Sequence, residues 1–462
     1  MNHARSFILK PSGTAIIAPP RTSRSTPHYL HIGEVERGAW LQKKTTPLLL
    51  DEDVRARHVY IAGQTGTGKS VLLANMMAQD LAAGHGVGLL DPHGTLATEI
   101  LGYVPTSRFS EVVYFNPADA DRPIGFNILA GATAQTAPRI TEMVLSAFLY
   151  FFGGDAIMAS SQDLLRNALR ALLDTASPTL LDVLRLIEDE VFRRRVTPHI
   201  TDPLIAYYWC ETVPAYSERA FEEITRPILN KLRRVLTNPI CRNVLAQTQS
   251  TFSLARVMDA SQIFIANLDI GLLGEGVSSL LGALLSAQFA DAAFSRRVAG
   301  DNQLPPFYLY QDEFQVFSSD AFSTILSQLR KYRLALTIGH QYREQLSDQI
   351  ESAVFGNAAT TIAFRLGAED ARKFSQHLML DEMFREADLK GHQQLAALAN
   401  YQAFVKTLAD GAPETHRLAC HPPLPRLHDR AHRIIARSRD HFGRDRALIE
   451  ASVDRLYQRR AV

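Results

Sequence analysis

Short runs of apolar residues alternate along the chain with longer stretches in which apolar positions recur every three or four residues. Runs of the first kind predict buried strands, and stretches of the second kind predict helices. From His58 onward the alternation predicts a parallel sheet with helices on its faces, an α/β fold. The predicted strands cover 58–62, 86–91, 111–116, 261–269, 306–314, 334–341 and 360–367, with a closing hairpin around 403–410.

Helical spacing takes over between residues 131 and 260, where no convincing strand occurs. This block predicts an all-α insertion domain that interrupts the sheet-forming core. The core then consists of 58–130 and 261–422. Residues 1–57 are predicted to be a small β-rich lead-in, with short strands at 14–18 and 29–32 and a turn at 32–34. Residues 423–462 are predicted to be a basic helical tail, with ten arginines against five acidic residues from 426 to 460.

The first strand and the helix after it enclose a glycine-rich turn. Residues 63–70 match the phosphate-binding pattern G-x-x-x-x-G-K-[ST] in the strand–turn–helix setting that it requires. Glycines let the backbone turn sharply and bring its N–H groups close to a phosphate. Lys69 is expected to reach the β- and γ-phosphates of ATP, and Ser70 to hold Mg²⁺. A glycine-rich helix start without a ligand is the alternative. The predicted nucleotide-binding residues are Gly63, Gln64, Thr65, Gly66, Thr67, Gly68, Lys69, Ser70 and Val71.

A second candidate element is the apolar strand that ends in Asp312 and Glu313. A P-loop ATPase needs such a pair, so we expect Asp312 to orient Mg²⁺ and Glu313 to polarise the attacking water. Gln341, at the tip of the next strand, is a candidate sensor of the γ-phosphate, or otherwise a helix cap. Asp91 ends another strand at the rim where ligands bind. It equally suits a cap of the next helix, with Pro92 as the first helical residue.

The composition of the chain limits which partners and binding sites we expect. The formal net charge is +1, so any nucleic-acid contact must come from local patches. Two such patches in the helical block are 193–195 and 231–234, although most charge clusters are solvated surfaces. The three cysteines are far apart, which suggests neither disulfides nor a zinc site. The two most apolar windows are too short or too interrupted to span a bilayer.

The order of these motifs resembles that of the HerA–FtsK superfamily of DNA motors, and most of all the TraG/TraD-type coupling proteins of conjugation and type IV secretion. The resemblance covers roughly residues 59–411. It rests on residues 63–70, Asp-Pro-His-Gly at 91–94, Gln-Asp-Glu-Phe at 311–314, Leu-Arg-Lys-Tyr-Arg at 329–333, His-Gln at 340–341 and Ala-Phe-Arg-Leu-Gly at 363–367.

The resemblance implies a RecA-like P-loop core, ATP hydrolysis with Mg²⁺, DNA as a partner and a homo-oligomeric ring of six subunits. Relaxase or secretion-system proteins would be further partners. Arg330 matches the arginine that a neighbouring subunit supplies, which is worth about 10³–10⁵ in turnover. Arg333 and Arg365 are the other candidates.

The family's N-terminal transmembrane pair has no counterpart in this sequence. The expectation is therefore a cytoplasmic protein without a direct membrane span, peripheral at the inner membrane at most. The alternatives are a HerA-like DNA-processing motor and a secretion or assembly ATPase that does not bind DNA.

Overall fold

A computed structural model of the chain describes residues 29–37, 44–152, 157–296, 304–317, 326–341, 347–385, 387–409, 411–427 and 429–458. Its strands form one eleven-stranded sheet in the order β2-β1-β11-β10-β9-β3-β8-β7-β4-β6-β5. The strands are β1 Leu30–Arg37, β2 Lys44–Leu50, β3 Val59–Ala62, β4 Gly86–Asp91, β5 Val112–Phe115, β6 Ile263–Asn267, β7 Phe307–Gln311, β8 Leu334–His340, β9 Thr360–Ala363, β10 Gln402–Ala409 and β11 Ala412–Ala419.

The seven strands from β9 to β5 in this order are parallel to one another, and β10, β11, β1 and β2 extend the sheet with antiparallel pairings. Strands buried on both faces explain the apolar runs in the sequence. In β3, Val59 and Ile61 join one apolar core, and Tyr60 and Ala62 join the other. The sheet therefore separates two cores, and the predicted α/β class is confirmed.

Helices flank the sheet on both sides. Those that accompany the core are Glu52–Arg55, Lys69–Ala83, Thr95–Glu99, Ile270–Leu273, Glu275–Ser295, Asp348–Asn357, Ala368–His377, Leu380–Met383, Gly391–Ala396, Ala431–Phe442 and Arg446–Gln458, with 3-10 turns at Ile100–Tyr103, Thr106–Glu111, Phe314–Val316 and Arg330–Tyr332.

Between β5 and β6 the regular elements in the described part of the chain are helices, joined by turns and by segments that include an isolated bridge from Ile124 to Gly443. These helices are Ala137–Phe152, Ala159–Leu173, Leu180–Glu188, Glu190–Val196, Pro203–Tyr207, Val213–Ala215, Glu218–Leu236, Pro239–Leu245 and Leu254–Asp259, with a 3-10 turn at Thr197–His199 and a π-helical turn at Tyr208–Thr212. The block rests on the core through Ala137–Phe152, which packs on Glu275–Ser295.

Within the described residues, Glu275–Ser295 is the helix that is long and apolar enough to pass for a membrane span. Of the residues in its most apolar window, 78% are buried inside the molecule. Its apolar composition is therefore accounted for by packing, because Leu280, Leu284 and Phe289 are fully buried in the core.

Local predictions fail at two places. Residues 32–34 form no turn; they lie inside β1, where the pairing with β2 shifts register between His31 and Gly33. The chain is not helical from Pro423, because the prolines at 422, 423 and 425 lack the N–H groups that a helix needs, and the helix begins at Ala431. Residues 326–329 are helical and run into the 3-10 turn Arg330–Tyr332. The predicted strand at 14–18 lies outside the described residues.

Candidate active site

The phosphate-binding loop joins β3 to the helix Lys69–Ala83, which we call the P-loop helix. Gly68 caps this helix with φ +119, a conformation that residues with a side chain rarely adopt. The sequence predicts a glycine at 63 because the chain has to turn there, but the structure gives a different reason. A Cβ atom on Gly63 would lie 2.6 Å from that of Phe364, so glycine lets the loop pass close to the end of β9.

The loop presents exposed groups around one buried cation. Thr65, Gly66 and Ser70 are exposed, whereas Lys69 is 5% exposed and donates from Nζ to the Gly63 carbonyl at 2.6 Å. Burial lowers the pKa of Lys69, and the nearby Glu313 and Asp312 carboxylates oppose that shift. The remaining loop residues organise the turn: Gln64 N donates to the Arg365 carbonyl at 3.0 Å, Thr67 Oγ1 donates to the Gln64 carbonyl at 2.7 Å, and Val71 is half-buried.

The acidic pair follows β7 at the same edge of the sheet. The strands β3, β8 and β7 are neighbours and run parallel, so the segments after them meet at the carboxyl ends of the strands. Asp312 and Glu313 are 5% and 4% exposed. The pKa of Asp312 is raised to about 6, chiefly by burial and then by Glu313 and Asp91, while Lys69 lowers it. The structure thus brings Lys69 and both carboxylates into one charged cluster.

Gln341 connects the two halves of this site. It follows β8, accepts a hydrogen bond from Thr65 Oγ1 at 2.9 Å and donates one to Glu313. The other Glu313 oxygen accepts from Gln315 Nε2 at 2.8 Å. Glu313 itself has φ +48, a left-handed conformation that is costly for a residue with a side chain and is often found at functional sites.

Asp91 lies behind the acidic pair. It is fully buried, and its carboxylate accepts from the backbone N–H groups of His93 at 2.9 Å and Ala97 at 2.8 Å. The following helix begins at Thr95 with Gly94 as its cap, so Pro92 is not its first residue as predicted. Asp91 therefore organises the turn before this helix, and its charge also raises the pKa of Asp312.

The three candidate arginines divide between the two edges of the sheet. Arg330 and Arg333 precede β8, at the amino ends of the parallel strands, where Arg330 is exposed and Arg333 lies 3.9 Å from Glu52. Arg365 follows β9 at the P-loop edge, and its Nη1 donates to the Leu398 carbonyl at 3.3 Å. Arg330 and Arg333 therefore lie away from the P-loop of their own chain.

Two residues near the site were missed from the sequence. Tyr401 N donates to the Thr67 carbonyl at 2.8 Å, and the Tyr401 ring would lie 3.1 Å from a Cβ on Gly68. No sequence pattern marks Tyr401, since it is far along the chain. Gln315 could have been noticed as an amide two residues after the acidic pair.

Comparison with known proteins agrees with this geometry. Residues 30–252 match the family model of the central domain of helicase HerA. No curated protein sequence matches the chain significantly.

Solved structures share the fold at low identity. The unbound bacterial conjugative coupling protein TrwB is 16% identical with a TM-score of 0.57, covering 83% of this chain and 89% of that chain. The plasmid coupling protein TrwB in complex with ADP and Mg²⁺ is also 16% identical, with a TM-score of 0.56, and the match covers 83% of this chain and 89% of that chain. VirB4 of Thermoanaerobacter pseudethanolicus is 15% identical with a TM-score of 0.53, and the match covers 87% of this chain and 97% of that chain.

The family model covers the P-loop. The resemblance predicted from the motif order is confirmed. The chain has the RecA-like P-loop ATPase fold of the conjugative coupling proteins, and its residues 30–252 are similar to the central domain of helicase HerA.

Proposed function

We propose that the chain is an ATP-driven motor that moves DNA in conjugative transfer or type IV secretion, working as a ring of six identical subunits. The observation that supports the catalytic part is the convergence of Lys69, Asp312 and Glu313 at one sheet edge, with Gln341 between them. Such a cluster combines a phosphate-binding cation with the acids that manage a metal and a water.

The loop fits a triphosphate on its own chemistry. A fifteen-residue helix begins at Lys69 without a side-chain cap, so its first N–H groups remain available to an anion. Lys69 has a backbone carbonyl as its hydrogen-bond acceptor and can exchange it for a phosphate oxygen. Residues 63–71 would then hold ATP.

The acids and the loop hydroxyl have complementary roles. Ser70 and Asp312 offer the oxygen ligands that Mg²⁺ prefers, and when bound the ion neutralises charge on the phosphates. Glu313 acts as general base toward water, and more strongly once one of its oxygens is released from Gln341 or Gln315. Gln341 senses the γ-phosphate because it already spans the distance from the P-loop to Glu313.

For the DNA part, the support is the fold shared with TrwB, which is a conjugative coupling protein. Exposed arginines of the helical block supply candidate phosphate contacts. Arg195 and Arg234 are exposed, whereas Arg193 donates to the Leu186 carbonyl and Arg233 pairs with Glu188. Partners would be a relaxase or secretion-system proteins, with the protein cytoplasmic and at most peripheral at the inner membrane.

Two other functions compete with this one. A HerA-like DNA-processing motor is favoured by the family model, which is that of a helicase domain. A secretion or assembly ATPase that does not bind DNA would use the same catalytic cluster, and the fold shared with VirB4 favours it.

Nucleotide binding is tested with Lys69→Ala. We expect this variant to lose binding of a fluorescent ATP analogue and to lose ATPase activity, because the phosphates lose their buried cation. Lys373→Ala is the matched control, because it also removes a lysine. The Lys373 side chain is half-exposed, and its Nζ lies 3.9 Å from the Glu351 carboxylate, a weak contact. Normal turnover in Lys69→Ala would contradict the assignment of the site.

The motor is distinguished from its competitors by measuring ATPase activity with single- and double-stranded DNA over a salt series. We expect stimulation by DNA with an affinity that falls steeply as salt rises, because phosphate contacts release counterions. Indifference to both DNAs would favour the assembly ATPase. Arg195→Ala/Arg234→Ala should flatten the salt dependence while leaving basal turnover unchanged.

A further inference from the structure

A cluster of possible metal ligands lies outside the nucleotide site. Among the described residues, His31, Glu34 and His421 bring one ligand atom each within 4.8 Å of one another. The Nε2 atom of His31 lies 3.1 Å from a Glu34 carboxylate oxygen and 3.2 Å from Nε2 of His421. All three side chains are half-buried, so an ion from solvent can reach them.

Local backbone geometry builds this cluster. Residues 31 and 34 of a regular strand point to opposite faces. The register shift between His31 and Gly33 adds a residue to β1 and lets both side chains face the same way. Only glycine fits at 33, because a Cβ atom there would lie 2.4 Å from the Ala419 carbonyl oxygen. Glu34 pairs with Ala419 of β11, which brings His421 alongside.

Hydrogen bonding alone leaves this arrangement poorly satisfied. His31 Nε2 also lies 3.1 Å from the Gly33 carbonyl oxygen, so three polar atoms surround one ring nitrogen. A neutral imidazole carries a single N–H, which makes one good hydrogen bond. If that nitrogen is instead the acceptor, it faces the lone pairs of a carbonyl and a carboxylate. A cation at the centre of the group would satisfy all of them.

The spacing suits a tetrahedral ion. Zn²⁺ binds imidazole nitrogen and carboxylate oxygen at about 2.0–2.2 Å, which puts ligand atoms of a tetrahedron about 3.3–3.6 Å apart. The two separations from His31 Nε2 are 3.1 and 3.2 Å, so the ligands need to move apart only slightly to admit the ion. Two imidazoles and a carboxylate are a ligand set that Zn²⁺ accepts, with a carbonyl or water in the fourth position.

We propose that His31, Glu34 and His421 form a Zn²⁺ site that joins β1 to the segment after β11, beside the P-loop helix. Two side-chain amides of the P-loop helix already hydrogen-bond to β1 and to the segment after β11. Gln79 exchanges hydrogen bonds with the His31 backbone at 2.9 and 2.8 Å, and Asn75 Nδ2 donates to the Pro422 carbonyl at 3.0 Å. The ion stabilises the fold near the P-loop and takes no part in hydrolysis.

The test measures zinc in the full-length protein without nucleotide, so its result does not depend on the proposed ATPase. Chelator-treated protein is incubated with Zn²⁺, passed through a desalting column and analysed by mass spectrometry of the metal. We expect about one zinc per chain, a rise in Tm of a few degrees that excess chelator reverses, and visible bands of tetrahedral Co²⁺ on substitution.

His421→Gln and Glu34→Gln should each weaken zinc binding by about 10²-fold or more and remove the shift in Tm. His416→Gln is the matched control, because His416 pairs with Glu414 at 2.9 Å on β11 but lacks a third ligand. Glu34→Gln keeps the size of the side chain and serves if His421→Gln does not fold. Absence of stoichiometric zinc, or equal binding by the control and the ligand variants, would overturn the proposal.

Discussion

At the scale of residues, Gln341 is the side chain whose position says most about the proposed mechanism. Its amide nitrogen donates to Glu313 and its amide oxygen accepts from Thr65 of the P-loop. Glu313 therefore has amide donors on both carboxylate oxygens. Each carboxylate oxygen keeps a second lone pair that can accept from water, but the amide donors lower the basicity of Glu313, so release of Gln341 on nucleotide binding would make Glu313 a stronger general base.

We predict that Gln341→Ala lowers kcat by about 10²-fold, because the proposed sensor contact with the reacting phosphate is lost. Nucleotide affinity should change little, since Lys69 and the loop backbone remain. Single-turnover hydrolysis and equilibrium binding measure the two effects separately. Gln315→Ala is the control, because it also removes a donor to Glu313 but, among the described residues, is not hydrogen-bonded to the P-loop. An unchanged kcat in Gln341→Ala would exclude the sensor role.

The buried carboxyl of Asp312 leads to a prediction about stability. Its folded-state pKa of about 6 exceeds the ordinary value of 3.8, so the folded state without ligand binds protons more tightly than the unfolded chain. The contribution of Asp312 to stability is therefore most favourable below pH 4, falls between about pH 4 and 6, and stays at its lower level above.

Asp312→Asn should remove the loss of stability that ionisation of the buried Asp312 carboxyl causes. Near pH 8 we expect the variant to be more stable than wild type by up to about 3 kcal/mol, the value of a two-unit shift in pKa. The gain should disappear as pH falls from 6 to 4. Urea unfolding at pH 8 and pH 4 measures both, and ATPase activity should be lost because Mg²⁺ loses a ligand. A gain that does not depend on pH would contradict the explanation.

At the scale of elements, one helix fixes the segment that follows the acidic pair. Phe317 ends the turn after Glu313, and its ring lies against Gly282 of Glu275–Ser295. A Cβ atom on Gly282 would be 2.0 Å from Phe317 Cδ1, far inside van der Waals contact. The helix tolerates a glycine there, despite a cost of about 1 kcal/mol, because the ring needs the space.

Gly282→Ala should therefore destabilise the protein by about 1–3 kcal/mol, as overpacking in a core does. Gly356→Ala provides the opposite case, because Gly356 lies inside Asp348–Asn357 with nothing within 4 Å of its would-be Cβ. We expect the control to gain about 0.5–1 kcal/mol from helix propensity. Denaturant unfolding measures both values, and equal effects would show that Phe317 adapts without cost.

At the scale of the whole molecule, the candidate arginines lie at opposite edges of the sheet, and their positions limit which nucleotide each one can reach. Arg330 precedes β8 and Gln341 follows it, so the seven-residue strand separates them by about 20 Å. The P-loop lies at the Gln341 edge. Arg330 therefore cannot reach the phosphates of its own chain, and action on a neighbour's nucleotide remains as its catalytic role. Arg365, at the P-loop edge, is placed for its own chain.

We predict that Arg330→Ala leaves turnover of dilute, monomeric protein unchanged and lowers turnover of the assembled ring by about 10³-fold or more. Mixing it with Glu313→Gln subunits should restore activity, since those subunits supply an intact Arg330 to sites with an intact base. Sedimentation under the assay conditions identifies the assembly. Failure of the mixture to recover activity in confirmed mixed rings would argue against action in trans.

The sequence by itself determined the local elements and the class of fold. The P-loop unit, the strand ending in two acids and the helical block were predictable because each is specified by neighbouring residues: glycines at a turn, an apolar run, or apolar positions at helical spacing. Errors were local too, as at Gly33, where a bulge has the same glycine signal as a turn.

Tertiary structure alone decided which of these elements meet. The order of strands places β8 between β3 and β7, and this order brings Gln341 between Thr65 and Glu313 while it sends Arg330 to the other edge. It also joins His31 to His421, 390 residues apart. Contacts at such separations depend on how strands pair across the whole sheet, and no periodicity or motif within a short window carries that information.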